Sequence, residues 1–267
     1  MQVFVNEKIF KYAEISLFEL HGIHKKDADV IILNGFPTNE NAMLKDGDKV
    51  TLIKRGEVLS EDELENLMMA RHTPQIHEKL KQATVAIAGL GGLGSNVAIS
   101  LARIGVGKLI LIDFDVVEPS NLNRQQYYVS QIGMRKTEAL KLNLMQINPF
   151  ITYETHNVYV TENNVENLFN SADIIVEAFD VAENKAMLIN NVLSHFPAKK
   201  IIAASGMAGS FSSNLIQTKR PFENLYLVGD EVNEATFNCG LMAPRVAIAA
   251  NHQANMVLRL IIGDDEV

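Results

Sequence analysis

Gly89-Leu90-Gly91-Gly92-Leu93-Gly94 follows the apolar run Thr84–Ala88 and opens a helical pattern, Leu93–Ile104. Glycines at this spacing serve a tight turn, a close approach of backbone to a phosphate, and close packing of helix on strand. The helix start adds free N–H groups and a partial positive charge that suit an anion. Asp113 stands about twenty residues further on, after a second apolar run, Leu109–Ile112, where a carboxylate takes ribose hydroxyls. By itself the loop says only nucleotide or dinucleotide. Its usual meaning is an NAD-dependent oxidoreductase.

Working outward, Asp173–Ala178 and Lys200–Ala204 repeat the short apolar run without polar alternation, as expected of strands covered on both faces. Helical patterns fall between the runs at Lys136–Ile147, Val165–Phe169 and Glu183–Phe196, and Ala243–Ile262 predicts a closing helix with Pro244 tolerated in its first turn. Strands alternating with helices predict a doubly wound parallel α/β sheet over residues 83–267. Residues 1–57 have another rhythm. Strands are predicted at Met1–Val5, Val30–Leu33 and Lys49–Lys54, a helix at Leu17–His21, and turns at Asn34–Gly35 and Asp46–Gly47–Asp48. That suggests a small α+β unit in which a few strands cover one helix. The acidic stretch Ser60–Glu65 predicts a helical linker over 58–82, interrupted at Pro74, with Ile76–Lys81 leading into the larger domain.

Composition narrows the partners. The 267 residues carry a net charge of −8, which disfavours nucleic acid but not a nucleotide met by a few local cations. The start, MQVFVNEKIF, lacks the basic and apolar regions of a secretory signal. No run reaches the roughly 18 apolar residues of a membrane span. A single cysteine, Cys239, rules out an intrachain disulfide and a four-cysteine zinc site, so no zinc is expected. A reducing cytoplasm is the expected location. The seven histidines are scattered, with no pair at ligand spacing.

The segment after Asp113 disfavours hydride transfer. Asp113-Phe114-Asp115-Val116-Val117-Glu118-Pro119-Ser120-Asn121-Leu122-Asn123-Arg124-Gln125 concentrates Asp, Asn, Arg and Gln beyond the second strand, the ligand edge of an open α/β sheet. An oxidoreductase has no evident use for Arg124 there, whereas a guanidinium matches phosphate oxygens in a bidentate way. Lys136, at a helix start, is a second phosphate cation or an ordinary solvated lysine. Asp180, beyond the strand Asp173–Ala178, is a Mg²⁺ ligand or merely a cap for the helix near Glu183.

These segments, with IGMRKTEAL running to INP and the closing GLMAPRVA…HQAN, resemble the E1-like (ubiquitin-activating superfamily) adenylyltransferases. The likeness is greatest to the ThiF/MoeB branch and covers roughly residues 71–263. It implies a Rossmann-like adenylation domain that uses ATP and Mg²⁺ to activate the terminal glycine carboxylate of a ThiS-like sulfur carrier in thiamine biosynthesis. On that resemblance Gly89, Gly91, Gly92 and Gly94 line the nucleotide, with Asp115 beside them, and Asp113 holds the ribose. Asn121, Arg124 and Gln125 contact phosphates, Lys136 stabilises phosphoryl charge, and Asp180 binds Mg²⁺. Val181 departs from the family, where Asn is frequent. Arg71 matches the arginine such enzymes donate across a homodimer, although its spacing to the loop is shorter than in long-form relatives.

Four other functions remain open: an NAD-dependent oxidoreductase, a molybdopterin-pathway adenylase, a tRNA-modifying dehydratase, and a non-catalytic binding module. The last is expected to have lost Arg124, Lys136 or Asp180. Long relatives use a cysteine near position 239 for carrier transfer, but a lone cysteine is ordinarily a small buried apolar group. Residues 1–57 resemble ThiS itself, a β-grasp (ubiquitin-like) fold. Their last strand runs on through Lys54-Arg55-Gly56-Glu57, so the unit reads as a degenerate carrier with no Gly-Gly terminus to activate.

Overall fold

The computed structural model describes residues 1–57 and 74–267, and the chain divides into two compact units, Met1–Pro74 and Gln75–Val267. The helix expected over Ser60–Glu65 lies outside the described residues.

In the first unit, β1 (Gln2–Val5), β2 (Lys8–Lys11), β3 (Val30–Leu33), β4 (Phe36–Pro37) and β5 (Lys49–Ile53) form one sheet in the order β2-β1-β5-β3-β4. β1 and β5 pair in parallel at its centre, and the other pairs are antiparallel. Alternate residues point one way, so Val3, Val5, Val50 and Leu52 meet Leu17 and Leu20 of the helix Leu17–His24 in a buried core. That helix starts where it does because Ser16 and Glu19 form a reciprocal capping box. β2 and β4 are additions to the sequence-based expectation. Asn34–Gly35 is a two-residue hairpin loop with both φ angles positive, as Asn-Gly favours, and Asn6–Glu7 makes the same turn without the glycine that advertises it.

In the second unit, seven strands are ordered β11-β12-β10-β9-β6-β7-β8. They are β6 (Thr84–Ala88), β7 (Lys108–Asp113), β8 (Thr152–Asn157), β9 (Ile174–Glu177), β10 (Lys200–Ala204), β11 (Gln217–Phe222) and β12 (Leu225–Gly229). All neighbours are parallel except the edge strand β11. Because side chains alternate, Val85, Ile87, Leu109, Leu111 and Val176 face one core with the helices Gly92–Arg103, Lys136–Ile147 and Ala243–Ile262. Ala86, Ala88, Ile110, Ile112 and Ile175 face another, with the helices Glu162–Phe169 and Ala182–His195. The sheet is therefore doubly wound, as the apolar runs predict. Each fully buried Leu or Ile contributes about 1.5–3 kcal/mol. The winding reverses between β6 and β9, which opens a crevice at the carboxyl ends of those strands. Pro74 is the first residue of the helix Pro74–Gln82. Among the described residues no helix is long and apolar enough to cross a membrane.

Two glycines set the geometry of that crevice. Gly89 has φ +90°, and a Cβ on Gly94 would lie 1.8 Å from the Gly89 carbonyl oxygen. Gly94→Ala is expected to cost its unit about 1–3 kcal/mol or more through backbone displacement. Gly22→Ala, in the other unit's helix with nothing within 4 Å of the new methyl, should instead gain up to about 1 kcal/mol from helix propensity. Urea unfolding of the two variants checks the contrast.

Candidate functional site

The glycine loop leaves β6 and is pinned to β7 by its backbone. Gly89 N–H donates to Ile112 O at 2.9 Å, and Leu90 N–H donates to Asp113 Oδ2 at 2.6 Å. The other carboxylate oxygen of Asp113 accepts from Asp115 N–H at 2.8 Å, so this buried side chain organises two loops and ends on the crevice wall. Tyr127 closes the back of the loop by donating to Leu90 O at 2.8 Å. Burial first, then the Asp113 and Asp115 charges, push the Tyr127 phenol well above its ordinary range, which keeps it a donor.

The crevice is a cavity of about 670 Å³. It brings together Gly89, Gly91, Gly92, Asp113, Asp115, Arg124, Gln125, Lys136 and Asp180. Gly94 and Asn121 are not on its wall. Asn121 ends a 3₁₀ turn, accepts from Glu118 N–H at 3.0 Å through Oδ1, and takes the Arg124 and Gln125 amides on its own carbonyl. It builds the loop that presents its two neighbours. Ser95 and Asn96, which the motif reading passed over, stitch that loop to the glycine turn. Asn96 Nδ2 donates to Gly92 O and Arg124 O, and Ser95 Oγ donates to Gly91 O and accepts from Gln126 N–H. Arg71 lies outside the described residues.

Lys136 is a cation in the first turn of a helix, where the macrodipole opposes it. It is kept there by Asp115, which accepts its ammonium at 2.9 Å and its amide, through the carbonyl, at 2.9 Å. Arg124 donates through Nη1 to Ser120 O and Asn123 Oδ1, while its buried Nε has no partner. Gln125 Oε1 is likewise buried without one. Leaving such atoms unsatisfied costs about 1–3 kcal/mol each. Asp180 is exposed, and among the described residues its carboxylate makes no hydrogen bond or ion pair. The helix that follows is capped at Val181 with no side-chain cap, so Asp180 does not serve that purpose. The backbone of the glycine turn, two residues with buried unpartnered polar atoms and a free carboxylate thus line one cavity.

A model of the ThiF family matches residues 64–267, about three-quarters of the chain. The chain belongs to the ThiF family. Residues 1–56 match the ThiS-like ubiquitin family, in keeping with the strand order of the first unit. Ubiquitin-like modifier-activating enzyme 5 of Drosophila persimilis is 36% identical over 186 residues, covering 66% of this chain and 44% of the relative. The Branchiostoma floridae enzyme of that name is 34% identical over 158 residues, covering 55% and 38%. The chain thus spans less than half the length of these curated relatives. Among solved structures, Escherichia coli tRNA N6-threonylcarbamoyladenosine dehydratase in complex with ATP superposes with a TM-score of 0.68 at 20% identity, covering 77% of this chain and 97% of that one. E. coli MccB with ATP superposes with a TM-score of 0.55 at 28% identity, covering 70% and 58%.

In this ThiF-family chain the cavity is also lined by Ser205, Gly206 and Asn233, to which the sequence analysis assigned no role. Two loops, 205–212 and 230–233, are clamped by Arg245 in the first turn of the helix Ala243–Ile262. Its Nη1 donates to Phe211 O at 2.9 Å and Ser212 O at 2.6 Å, and its Nη2 donates to the Asp230 carboxylate. Both side chains are about 95% buried. Cys239 sits beside this clamp, half-buried and free, and is not on the cavity wall. Burial pushes the Asp230 carboxyl up, but donors from Asn233, Val232 and Arg245 outweigh that and hold it at about 2. A carboxyl depressed from 3.8 stabilises the fold fully above that value and loses its contribution as pH falls towards 2. Asp230→Asn is expected to cost about 3–5 kcal/mol at neutral pH, because Arg245 stays buried without its counter-charge. The variant should also lose less stability than wild type between about pH 4 and pH 2. Urea titrations across that range measure both effects.

Proposed function

We propose that the chain uses ATP and Mg²⁺ to adenylate the C-terminal glycine carboxylate of a ThiS-like sulfur-carrier protein in thiamine (thiazole) biosynthesis, releasing pyrophosphate. The observation that carries this reading is the pair of buried, unpartnered groups, Arg124 Nε and Gln125 Oε1, beside the glycine turn. A dinucleotide site needs the glycine turn but not those groups. In the reaction a carrier carboxylate oxygen forms a bond to the α-phosphorus while the bond from that phosphorus to the bridging oxygen breaks, and pyrophosphate carries the electron pair away. Two anions must approach, so the work of the protein is neutralisation and positioning.

The residues divide that work. The amides of the glycine loop and the helix start at Gly92 receive phosphate oxygens, and Asp113 receives the ribose hydroxyls. Arg124, Gln125 and Lys136 meet the phosphates, and release of Lys136 from Asp115 costs little because that carboxylate is half exposed. Asp180 holds Mg²⁺, which supplies charge neutralisation at the phosphates when bound. Arg71 acts across a homodimer, and the ThiS-like unit is a fused relative of the carrier rather than its own substrate. MccB, whose structure holds ATP, supports the nucleotide assignment. The net charge of −8 argues against tRNA as the substrate.

Arg124→Ala, Lys136→Ala and Asp180→Ala are each expected to lower carrier-dependent ATP–pyrophosphate exchange by about 10²–10³-fold while leaving the unfolding midpoint near wild type. Exchange is measured against purified carriers ending in Gly-Gly, of thiamine and molybdopterin type. Near-normal turnover in all three variants sinks the assignment. Exchange driven by tRNA in place of a carrier replaces it with the dehydratase reading.

A further inference from the structure

Glu177 is a carboxylate with no solvent exposure at the end of β9, three residues before Asp180. Every bond its carboxylate makes runs to a part of the crevice wall. Its Oε1 accepts Phe179 N–H at 2.6 Å, and its Oε2 accepts Ala204 N–H, at the end of β10, at 3.4 Å. Lys185, one turn into the helix Ala182–His195, donates to both oxygens at 3.1 and 3.2 Å and to Ala204 O at 3.1 Å. From behind, the buried Gln253 donates to Glu177 O at 3.0 Å and Ile202 O at 3.2 Å. Two strand ends and a helix start are therefore tied at one point. The segment between them, Ala178-Phe179-Asp180-Val181, has no side-chain cap of its own. Its other side is closed by the glycine turn, since a Cβ on Gly89 would lie 2.7 Å from Ala178 O.

Stability does not account for such a pair, because replacing a buried ion pair with apolar groups of similar volume is often neutral or favourable. Nor is Lys185 a spare phosphate cation. Although it borders the cavity, its three donors are spent on Glu177 and Ala204. We propose that Glu177 and Lys185 are positioning residues for Asp180. They fix the Phe179 peptide and the first turn of the next helix, and so set where the free carboxylate stands relative to the phosphates. The inference rests on the adenylation reading, in which Asp180 holds the divalent cation, and identifies what aims it.

Mn²⁺ binding, read by electron paramagnetic resonance with α,β-methylene-ATP present, tests the proposal without relying on turnover. Glu177→Gln and Lys185→Gln are expected to weaken Mn²⁺ binding by about 10–100-fold, the usual loss when the support of a metal ligand is removed. Nucleotide binding in EDTA should stay close to wild type. Glu177→Asp combined with Lys185→Arg draws the carboxylate back by one carbon and lengthens the cation, and should recover most of the Mn²⁺ affinity. If a single variant does not fold, this double variant and the remaining single are read in the same way. Wild-type Mn²⁺ affinity in folded Glu177→Gln or Lys185→Gln, with only a lower melting temperature, overturns the proposal. Asp180→Ala separates the two levels. Loss of Mn²⁺ there, without loss in the Glu177 and Lys185 variants, removes the positioning role alone, whereas unchanged binding in Asp180→Ala removes the metal assignment and this inference together.

Discussion

The backbone of Gly94 passes so close to the carbonyl of Gly89 that a methyl group on Gly94 would overlap its oxygen at 1.8 Å. This contact lets the helix Gly92–Arg103 start hard against the end of β6. Its free amides then face the crevice where the sheet reverses direction. The Ala178 carbonyl presses on the same turn from β9, which leaves Gly89 no room for a side chain either. Asp113 reaches Leu90 only because the turn is this tight, and the loop carrying Arg124 is held through Gly91, Gly92, Ser95 and Asn96. A wider turn would release each of these in succession.

The charges around the cavity fall into two kinds. Glu177, Asp230 and Arg245 have buried side chains, Lys185 is half-buried, and all four are ion-paired and hold backbone in place. Burial raises the Glu177 carboxyl while Lys185 opposes that, the balance expected of a charge kept inside by one close counter-ion. Asp180, Lys136 and Arg124 are unspent or loosely engaged. Lys136, like Arg245, is a cation in the first turn of a helix, against the local rule, and Asp115 compensates for it as Asp230 does for Arg245. Rigid supports around under-satisfied groups suit the proposed adenylation, which would need phosphate charge neutralised without reorganisation.

Much of this organisation is legible before any coordinates. The four central strands are apolar runs buried on both faces, and their periodicity marks them without regard to neighbours. The closing helix and the helix Lys136–Ile147 fall where their patterns place them. The edge strands escape that reading. Thr152–Asn157 is TYETHN, and Gln217–Phe222 contains Pro221, because an edge strand pairs on one side only and tolerates polar residues and proline. β2 escapes because Asn6–Glu7 adopts a glycine-like turn without glycine.

For the site, the residue types were local information. A glycine turn after a strand, and Arg, Lys and Asp beyond strand ends, are statements about short segments, and the cavity gathers most of them. Folding assigned their present occupations. It buried Arg124 Nε and Gln125 Oε1 away from any partner, and turned Asn121 into the loop instead of the cavity. It also joined Glu177 to Lys185 and Ala204, and Asp230 to Arg245. Such pairings depend on distances between segments remote in the chain. By itself the sequence determined where a glycine turn and the charged side chains near it lie, since both follow from local backbone and side-chain chemistry. Only the tertiary structure decided which of those charges are spent on the protein and which remain for a ligand, because desolvation and pairing are properties of packed space.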